Sequence, residues 1–481
     1  MKKRLKEESV IFISIFKWLV LASIIGIIVG LSTTLFLKVL NLSTAYTSQF
    51  SLYFLLLPFA MFTSAAMTKY LAPDAGGYGA RVIEAVHKTS GRIKFMVVPV
   101  KFAATIVTLA FGGSAGKEGP CAQIGAGLSS AVASVFRFSD SDRKKLVICG
   151  ISGGFAAVFG TPIAGAIFGI EVLFVGGILY EVLLPSFVAG IISYQVSASL
   201  GVTYFYYPLE FVPVFSEAFF IKVVFAGVFF GICSFLVIES LRLGQKYSRK
   251  LEEKRGISDL KRSLLGGIAI VALTLVFSKT YLGLGLETIS STLEGGDVPF
   301  YSFLVKILFT SITLNAGGSG GIITPIFFIG STAGNLFANL LGLDSSVFAA
   351  IGLVSLLAGA ANTPIAASIL AVELFGTEVA PYAAVACVIS FIMTGHRSIY
   401  PSQILSMKKS SSIQVEIGKE METIRPVYQH RDRSVIATAR NLMGVLREKG
   451  RKKKGDSDDN GAVSTVEPVE KEPGPDDPGK E

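Results

Sequence analysis

Long apolar runs, separated by short polar segments, dominate the chain from residue 10 to residue 400. The clearest runs are Val10–Leu40, Ser51–Leu71, Phe219–Leu241, Leu264–Val276 and Tyr382–Met393. Several reach the roughly 20 residues that an α-helix needs to cross a hydrocarbon layer of about 30 Å. They do not alternate apolar and polar residues as barrel strands do. The pattern predicts an all-α polytopic membrane protein whose first run is a retained span rather than a cleaved signal.

Charge lies mostly outside the apolar runs. Charged residues make up 16% of the 481, whereas soluble proteins average about 25%. The basic start MKKRLK predicts that residues 1–9 are cytoplasmic, and Arg242–Arg262 reads as a cytoplasmic connection. Residues 406–481 are predicted to form a polar, largely disordered cytoplasmic tail, too short for paired regulatory domains. Both termini of this integral membrane protein are therefore expected in the cytoplasm.

Cysteine and histidine usage gives no sign of a metal site, a disulfide framework or a cofactor. Cys121, Cys149, Cys233 and Cys387 all fall in apolar segments, and no two of the three histidines have a ligand spacing. The cysteines are predicted to be small core residues. The apolar runs make the lipid bilayer the expected partner, and no nucleic acid is expected.

Two motifs occur twice in the same order. GGSAGKEGP (112–120) matches GGSGGIITP (317–325), and TPIAGAIFGIEVLF (161–174) matches TPIAASILAVELF (363–375). This predicts two copies of one helical unit, over residues 10–205 and 215–405. In transporters such repeats surround a site near the bilayer midplane. Short segments interrupted by glycine and proline predict helices that break at that depth.

The first motif pair predicts two helix starts facing a shared anion site. One helix is predicted to begin near Glu118, with Pro120 in its first turn, and the other within Gly321–Pro325. Free N–H groups at a helix start carry about half a positive charge and attract anions. Such partial charges hold an ion only moderately, as conduction requires.

Glu118 is a carboxylate placed beside this predicted anion site. As a purely structural residue it would cap the N–H groups of its own helix. As a functional residue it would occupy the anion's place when ionised and leave the pathway open when protonated or displaced. We predict that Glu118 is the gate and that pH tunes it.

These motifs resemble those of the CLC family of chloride channels and chloride/proton antiporters, over about residues 15–405. GKEGP (116–120) is similar to the family's G-[KR]-E-G-P, GIITP (321–325) to G-x-F-x-P, and AGGYGA (75–80) to the G-S-G-I-P region. The resemblance implies two inverted repeats with broken, tilted helices, and a homodimer with one pore per subunit. It also implies an anion site and a lysine that contributes to the charge of the pathway. The implied anion-binding residues are Gly77, Tyr78, Gly79, Gly116, Lys117, Gly119, Gly321, Ile322, Ile323 and Tyr400. The implied lysine is Lys101, and Arg81, which the family pattern does not contain, is expected to add positive charge to the pathway.

The chain departs from the family pattern at four positions. Tyr78 replaces a small serine, Arg81 replaces a proline, and Ile323 replaces a phenylalanine. Val172 stands where antiporters of the family usually carry an internal proton glutamate, and valine cannot relay a proton. The resemblance therefore favours a passive chloride channel.

Several alternatives to a chloride channel are left open. One is an antiporter that takes its proton by another route; another is selectivity for nitrate, bromide or, less favoured because an Asn-rich sequence is missing, fluoride. Glu171 and its repeat mate Glu373 are expected to cap helix ends rather than carry protons. An intramembrane enzyme is disfavoured, because no catalytic motif accompanies the carboxylates and Ser114 has no histidine in its motif.

Overall fold

The computed structural model describes residues 2–77, 79–209 and 216–428. Within these ranges the chain forms sixteen α-helices and four strands of two residues each. The predictions made for Tyr78 and for residues 429–481 lie outside the described residues.

The helices fall into two sets of eight with the same order. The first set is α1 (Lys2–Ser48), α2 (Leu57–Leu71), α3 (Ala80–Lys88), α4 (Val97–Ala110), α5 (Glu118–Val135), α6 (Asp140–Phe159), α7 (Pro162–Glu171) and α8 (Leu183–Ser199). The second set is α9 (Glu217–Arg255), α10 (Asp259–Val276), α11 (Leu286–Leu293), α12 (Ser302–Asn315), α13 (Ile323–Leu341), α14 (Ser345–Ala361), α15 (Pro364–Phe375) and α16 (Ala380–Met393). Both α4 and α12 have 14 residues, and they are displaced by the same distance along the chain as the glycine motifs. The helix order confirms the predicted pair of repeats.

Helix length divides the spans from the broken helices. Four described helical segments are long and apolar enough to cross a membrane: Glu7–Ser48, Tyr53–Leu71, Tyr180–Ser199 and Glu217–Lys254. Six other apolar helices have only 10–17 residues. At 1.5 Å per residue, a 14-residue helix rises only about 21 Å, which is less than the hydrocarbon layer. These helices are therefore too short to cross the hydrocarbon layer around this integral membrane protein, as the interrupted sequence pattern predicted.

Glycines permit the closest helix contacts, and they recur at matching positions in both repeats. Where α5 crosses α6, Gly125 lies against the carbonyl group of Gly150, and neither position has room for a Cβ. Where α13 crosses α14, Gly330 and Gly352 make the same contact. In lipid, close backbone packing of this kind replaces the hydrophobic drive that holds soluble helices together. The crossings fix where α5 and α13 begin.

The chain after α16 folds back on the helical body. Strand β1 (Phe174–Val175) pairs in parallel with β2 (Ile404–Leu405), and two further strands are β3 (Ile413–Gln414) and β4 (Val427–Tyr428). Met421 and Ile424 are buried in a small core with Leu405 and Val175. The folded body thus extends past residue 406, where the polar tail was predicted to begin, because these few apolar side chains fix an otherwise polar segment.

Candidate functional site

The two glycine motifs meet and are hydrogen-bonded to each other. The Gly116 N–H donates to the Gly321 carbonyl group and the Gly321 N–H donates to the Gly116 carbonyl group, both at 2.7 Å. Helix α5 begins two residues later at Glu118, and α13 begins two residues later at Ile323. Both glycines are buried. The structure therefore brings together the two helix starts that the sequence predicted to face one site.

Serines in the motifs tie each loop to the other repeat. The Ser114 N–H donates to the Thr313 hydroxyl at 3.1 Å, and the Ser114 hydroxyl bonds with that of Thr310 at 3.0 Å. Ser319 makes the same two contacts, at 3.0 Å each, with the matching threonines of α4. The crossed bonds hold both loops rigidly. The hydroxyl of Ser114 is thus paired with a threonine and not with a histidine base.

The Glu118 side chain caps the helix of the opposite repeat. Its Oε2 accepts a hydrogen bond of 3.1 Å from the Thr324 N–H, and its Oε1 accepts one from the Thr324 hydroxyl. Both residues are only 1% exposed. Thr324 is the second residue of α13, so the carboxylate sits on the positive end of that helix. An anion at this helix start would compete with Glu118 for the same donors. Sequence reasoning placed Glu118 here but missed Thr324.

A small buried cavity adjoins Glu118. Its volume is about 30 Å³, enough for one water molecule or one small ion. Among the residues that line it are Gly79, Glu118, Gly119, Ile323 and Tyr400. Residues that the sequence assigned to the anion site from four separate segments therefore surround one space.

Gly79 and Tyr400 close this cavity on one side. Gly79 has a φ of 127°, which a residue with a side chain rarely adopts. A Cβ at Gly79 would lie 3.1 Å from the Tyr400 ring, which is itself only 3% exposed. Glycine is needed here for both its backbone angle and the close approach of the aromatic ring.

Several predicted site residues lie near the cavity without lining it. Gly77, Gly116, Lys117, Gly321 and Ile322 do not contact the space, although they belong to the loops that form it. Arg81 is exposed and lines a separate cavity of about 330 Å³ at the surface. The structure does not place Arg81 beside Glu118.

Lys101 is fully buried and braces the loop that carries Gly77. Its Nζ donates to the Gly77 carbonyl oxygen at 2.8 Å. The second repeat holds a matching lysine, Lys306, whose Nζ donates to the carbonyl oxygens of Gly283 at 2.9 Å and Tyr281 at 3.1 Å. Neither lysine has a carboxylate within 4.0 Å in the described part of the chain. Sequence reasoning found Lys101 and missed Lys306, although both follow a valine at the repeat offset.

Glu171 and Glu373 cap each other's helices. Glu171, at the end of α7, accepts hydrogen bonds from the N–H groups of Ile365 at 3.1 Å and Ala366 at 2.8 Å, at the start of α15. Glu373, near the end of α15, accepts bonds of 2.9 Å and 2.8 Å from the first turn of α7. This confirms the expectation that both carboxylates cap helix ends. It also shows that α7 and α15 run in opposite directions, as inverted repeats require.

Val172 follows Glu171 and lines the small cavity with its apolar side chain. It is 2% exposed, and its carbonyl oxygen accepts a hydrogen bond of 2.8 Å from Gln403. No titratable group is therefore present at this position of the sequence.

Gln123 is a polar residue of the site that sequence reasoning missed. It is 1% exposed, and among the described residues neither atom of its amide group has a hydrogen-bond partner. It lines both the small cavity and the surface cavity that contains Arg81. Its position four residues after Gly119, one helical turn along α5, is the signal that would have placed it on this face.

The cysteines and acidic residues form no metal centre in the part of the chain that is described. All four cysteines are buried and free, as predicted. A group of three or more metal-ligating side chains is not found among those residues. The polar groups of the site are therefore those around Glu118.

The sequence was compared with protein families and with curated proteins. Residues 59–395 match the family described as "Voltage gated chloride channel". A "Chloride/fluoride channel protein" of Pseudomonas syringae pv. tomato is 35% identical over 412 residues, which cover 85% of this chain and 91% of that protein. An "H(+)/Cl(-) exchange transporter ClcA" of Vibrio cholerae is 25% identical, over 75% of this chain and 82% of that protein.

The fold was compared with solved structures. The structure of a CLC-type fluoride/proton antiporter superposes with a TM-score of 0.77 and 28% sequence identity, covering 81% of this chain and 98% of that one. A slow cyanobacterial Cl⁻/H⁺ antiporter superposes with a TM-score of 0.69 at 20% identity, which establishes likeness of fold alone.

Proposed function

This chain belongs to the voltage-gated chloride channel (CLC) family, and we propose that it carries small halide ions across a membrane through the cavity beside Glu118. The family and its relatives make it an anion-transport protein of the membrane. The observation that carries the proposal is the bond between Glu118 and the first turn of α13. A carboxylate held by these donors marks the place where a halide would bind, and its departure would free that place.

Chloride is the first candidate for the transported ion, and fluoride now stands beside it. The sequence disfavoured fluoride because an Asn-rich motif is missing. The names of two similar proteins, however, include fluoride. Both ions carry one charge, and both fit a space of about 30 Å³. We propose small halides as the substrate class, with Gly79, Glu118, Ile323 and Tyr400 around the ion.

Transport is proposed to be passive, because Val172 offers no carboxylate for a proton. The second candidate is proton-coupled exchange. Gln123 favours it, since a buried amide that has no hydrogen-bond partner among the described residues can hold a water molecule beside Glu118. Similar proteins named as proton antiporters favour it as well.

The assembly and orientation are also proposed from the family and from charge. We propose a homodimer with one pathway in each subunit. The basic N-terminal residues and the basic end of α9 are proposed to face the cytoplasm.

Purified protein in liposomes tests these proposals. Vesicles loaded with potassium chloride or potassium fluoride receive a potassium ionophore, while a halide electrode and a pH electrode record together. Halide release with a silent pH trace supports a channel, and protons driven against their own gradient support exchange. Release no faster than from protein-free vesicles, for both ions, would reject the function.

A further inference from the structure

A large basic cavity lies at the polar end of α9, away from the Glu118 site. Its volume is about 670 Å³, within the usual range of 300–1,000 Å³ for small-molecule sites. Three segments form it: one face of α9, the loop of residues 396–401, and residues 422–426. Six basic side chains and two carboxylates line this basic cavity. The basic ones are Arg242, Lys246, Arg249, Lys250, Arg397 and Arg425.

The helix supplies most of this charge from a single face. Arg242, Lys246 and Lys250 follow one another at intervals of four residues, and Arg249 lies three residues after Lys246, so all four lie on neighbouring turns of α9. Like charges at such spacing repel each other and destabilise a helix. Solvation alone does not explain why these four side chains line one concave space. A bound ligand of opposite charge would offset their repulsion.

Only part of the charge is neutralised within the protein. Glu239 pairs with both Arg242 at 3.3 Å and Arg397 at 3.2 Å. Lys246 and Lys250 have no carboxylate within 4.0 Å among residues 2–77, 79–209 and 216–428. The unpaired cations therefore lie beside two arginines that are held in fixed positions.

A single halide ion is too small to neutralise cations that line several walls of this cavity. A ligand with two or more phosphate groups can, since each group carries at least one charge and several acceptor oxygens for lysine and arginine. Leu243 and Tyr247 on the same turns of α9 are 64% and 63% exposed. Tyrosine at such a position is typical of the membrane–water interface. The cavity is thus within reach of both soluble phosphates and lipid headgroups.

The cavity is linked directly to the anion site through the loop of residues 396–401. Ser398, which lines the cavity, accepts a hydrogen bond of 2.9 Å from the Tyr400 N–H. The same Ser398 donates to Gln403 at 2.6 Å, and Gln403 donates to the Val172 carbonyl oxygen at 2.8 Å. A ligand that draws Arg397 inward would act on the segment that positions Tyr400.

We propose that the basic cavity binds a ligand carrying two or more phosphate groups, and that its occupancy changes halide flux through the loop that carries Tyr400. The proposed binding of a phosphate ligand does not depend on the proposed function, whereas the proposed change of halide flux rests on it. Binding is therefore measured separately from transport.

The first experiment measures binding of sodium tripolyphosphate to the full chain in detergent, where both faces are accessible. The test variant is Lys246→Gln with Lys250→Gln, both in the cavity. The matched control is Lys254→Gln with Lys261→Gln, two exposed lysines nearby that do not line it. We expect saturable binding that added salt weakens, a loss of about tenfold or more in the test variant, and a change below about twofold in the control. Equal losses in both variants, or no saturable binding of tripolyphosphate to the unmodified chain, would overturn the site.

A second arm separates the two sources of phosphate. The chain is placed in nanodiscs of phosphatidylcholine containing either a phosphatidylinositol bisphosphate or phosphatidylserine at equal total charge, and its unfolding temperature is measured. A rise specific to the bisphosphate, lost in the test variant, assigns the site to a lipid headgroup; tripolyphosphate binding without that rise assigns it to a soluble ligand. Halide flux is then measured with and without the bound probe. Binding that leaves flux unchanged would overturn the link to Tyr400.

Discussion

The carboxylate of Glu118, which belongs to the first repeat, is held by the backbone and the side chain of Thr324, which belongs to the second. Glu118 is the first residue of α5, and its side chain caps the start of α13. Moving the Glu118 side chain breaks its contacts with the start of α13, so the state of a single side chain is coupled to the junction of the two repeats.

Replacing Glu118 with glutamine is expected to raise halide flux and to remove its pH dependence. In the natural protein, lowering the pH protonates Glu118 and removes the charge that competes with the anion, so flux should rise as pH falls. Glutamine is neutral at every pH, and its flux should be flat. Halide efflux from liposomes over a pH series measures this.

Glu378→Gln serves as the control for this prediction, because Glu378 is exposed and does not line the cavity. It should keep the natural pH profile. A Glu118→Gln protein whose flux follows the natural profile would show that another group sets the pH response.

Thr324→Val is expected to raise flux about tenfold or more. Valine has nearly the same shape but lacks the hydroxyl, and a hydrogen bond to a charged group contributes about 1.5–3 kcal/mol. The Thr324 N–H would still donate, so Glu118 would be held by fewer donors and would leave the α13 start more often. Efflux at neutral pH is the measurement.

The matched control is Thr332→Val on the same helix. The Thr332 hydroxyl is buried, and within the described part of the chain it bonds to carbonyl oxygens of its own helix. If the two variants change flux equally, the effect belongs to helix α13 and not to Glu118.

Glu171→Gln and Glu373→Gln are each expected to lower the free energy of unfolding by about 1–2 kcal/mol. Each carboxylate accepts from two N–H groups with its two oxygens, and glutamine keeps only one acceptor. Thermal unfolding in detergent measures the loss. Transport per folded molecule, of halide and of protons, should stay the same in both.

The two variants check each other, because the contacts are equivalent in the two repeats. A Glu171→Gln protein that unfolds normally but no longer moves protons would contradict the capping role. It would assign proton transfer to Glu171.

Lys101→Met and Lys306→Met are expected to differ in their effects although the two lysines are repeat mates. Each change removes the hydrogen bonds that a buried lysine donates to loop carbonyl oxygens, and each such bond contributes about 0.5–1.5 kcal/mol. Lys101 braces the Gly77 loop beside the halide cavity, so Lys101→Met should also reduce flux about tenfold. Lys306→Met should reduce stability with a much smaller change in flux per folded molecule.

Unfolding temperature and halide efflux, measured on both proteins, test this contrast. An equal loss of flux in the two variants would mean that Lys101 acts through stability alone.

Internal repetition made much of the site predictable from sequence. Matching Gly116 with Gly321 was sufficient to predict that two helix starts meet, because a short apolar segment must end inside the membrane and the copies must share the space there. The same comparison held two further signals that were not used. Lys306 repeats Lys101, and Gly283 and Gly285 before α11 repeat Gly77 and Gly79 before α3.

Other features depend on contacts that a sequence pattern does not contain. The Thr324 hydroxyl reaches Glu118 only because the two glycine loops are paired through Gly116 and Gly321. The basic cavity arises where α9 meets residues 396–401 and 422–426, which are distant from it in the sequence, and each of its charged residues taken alone is typical of a solvated surface. The fold of residues 406–428 depends on Met421 and Ile424, which are too few to form a periodic apolar pattern.

The exchange of caps between Glu171 and Glu373 bears on how such a chain arose. A protein with one repeat would carry the acceptor at one end of its short helix and leave the N–H groups at the other end open to lipid. Two copies inserted in opposite directions would supply each other's missing acceptor. Duplication and fusion of the gene would then join two copies that already capped each other's helices. No new capping residue would have to evolve.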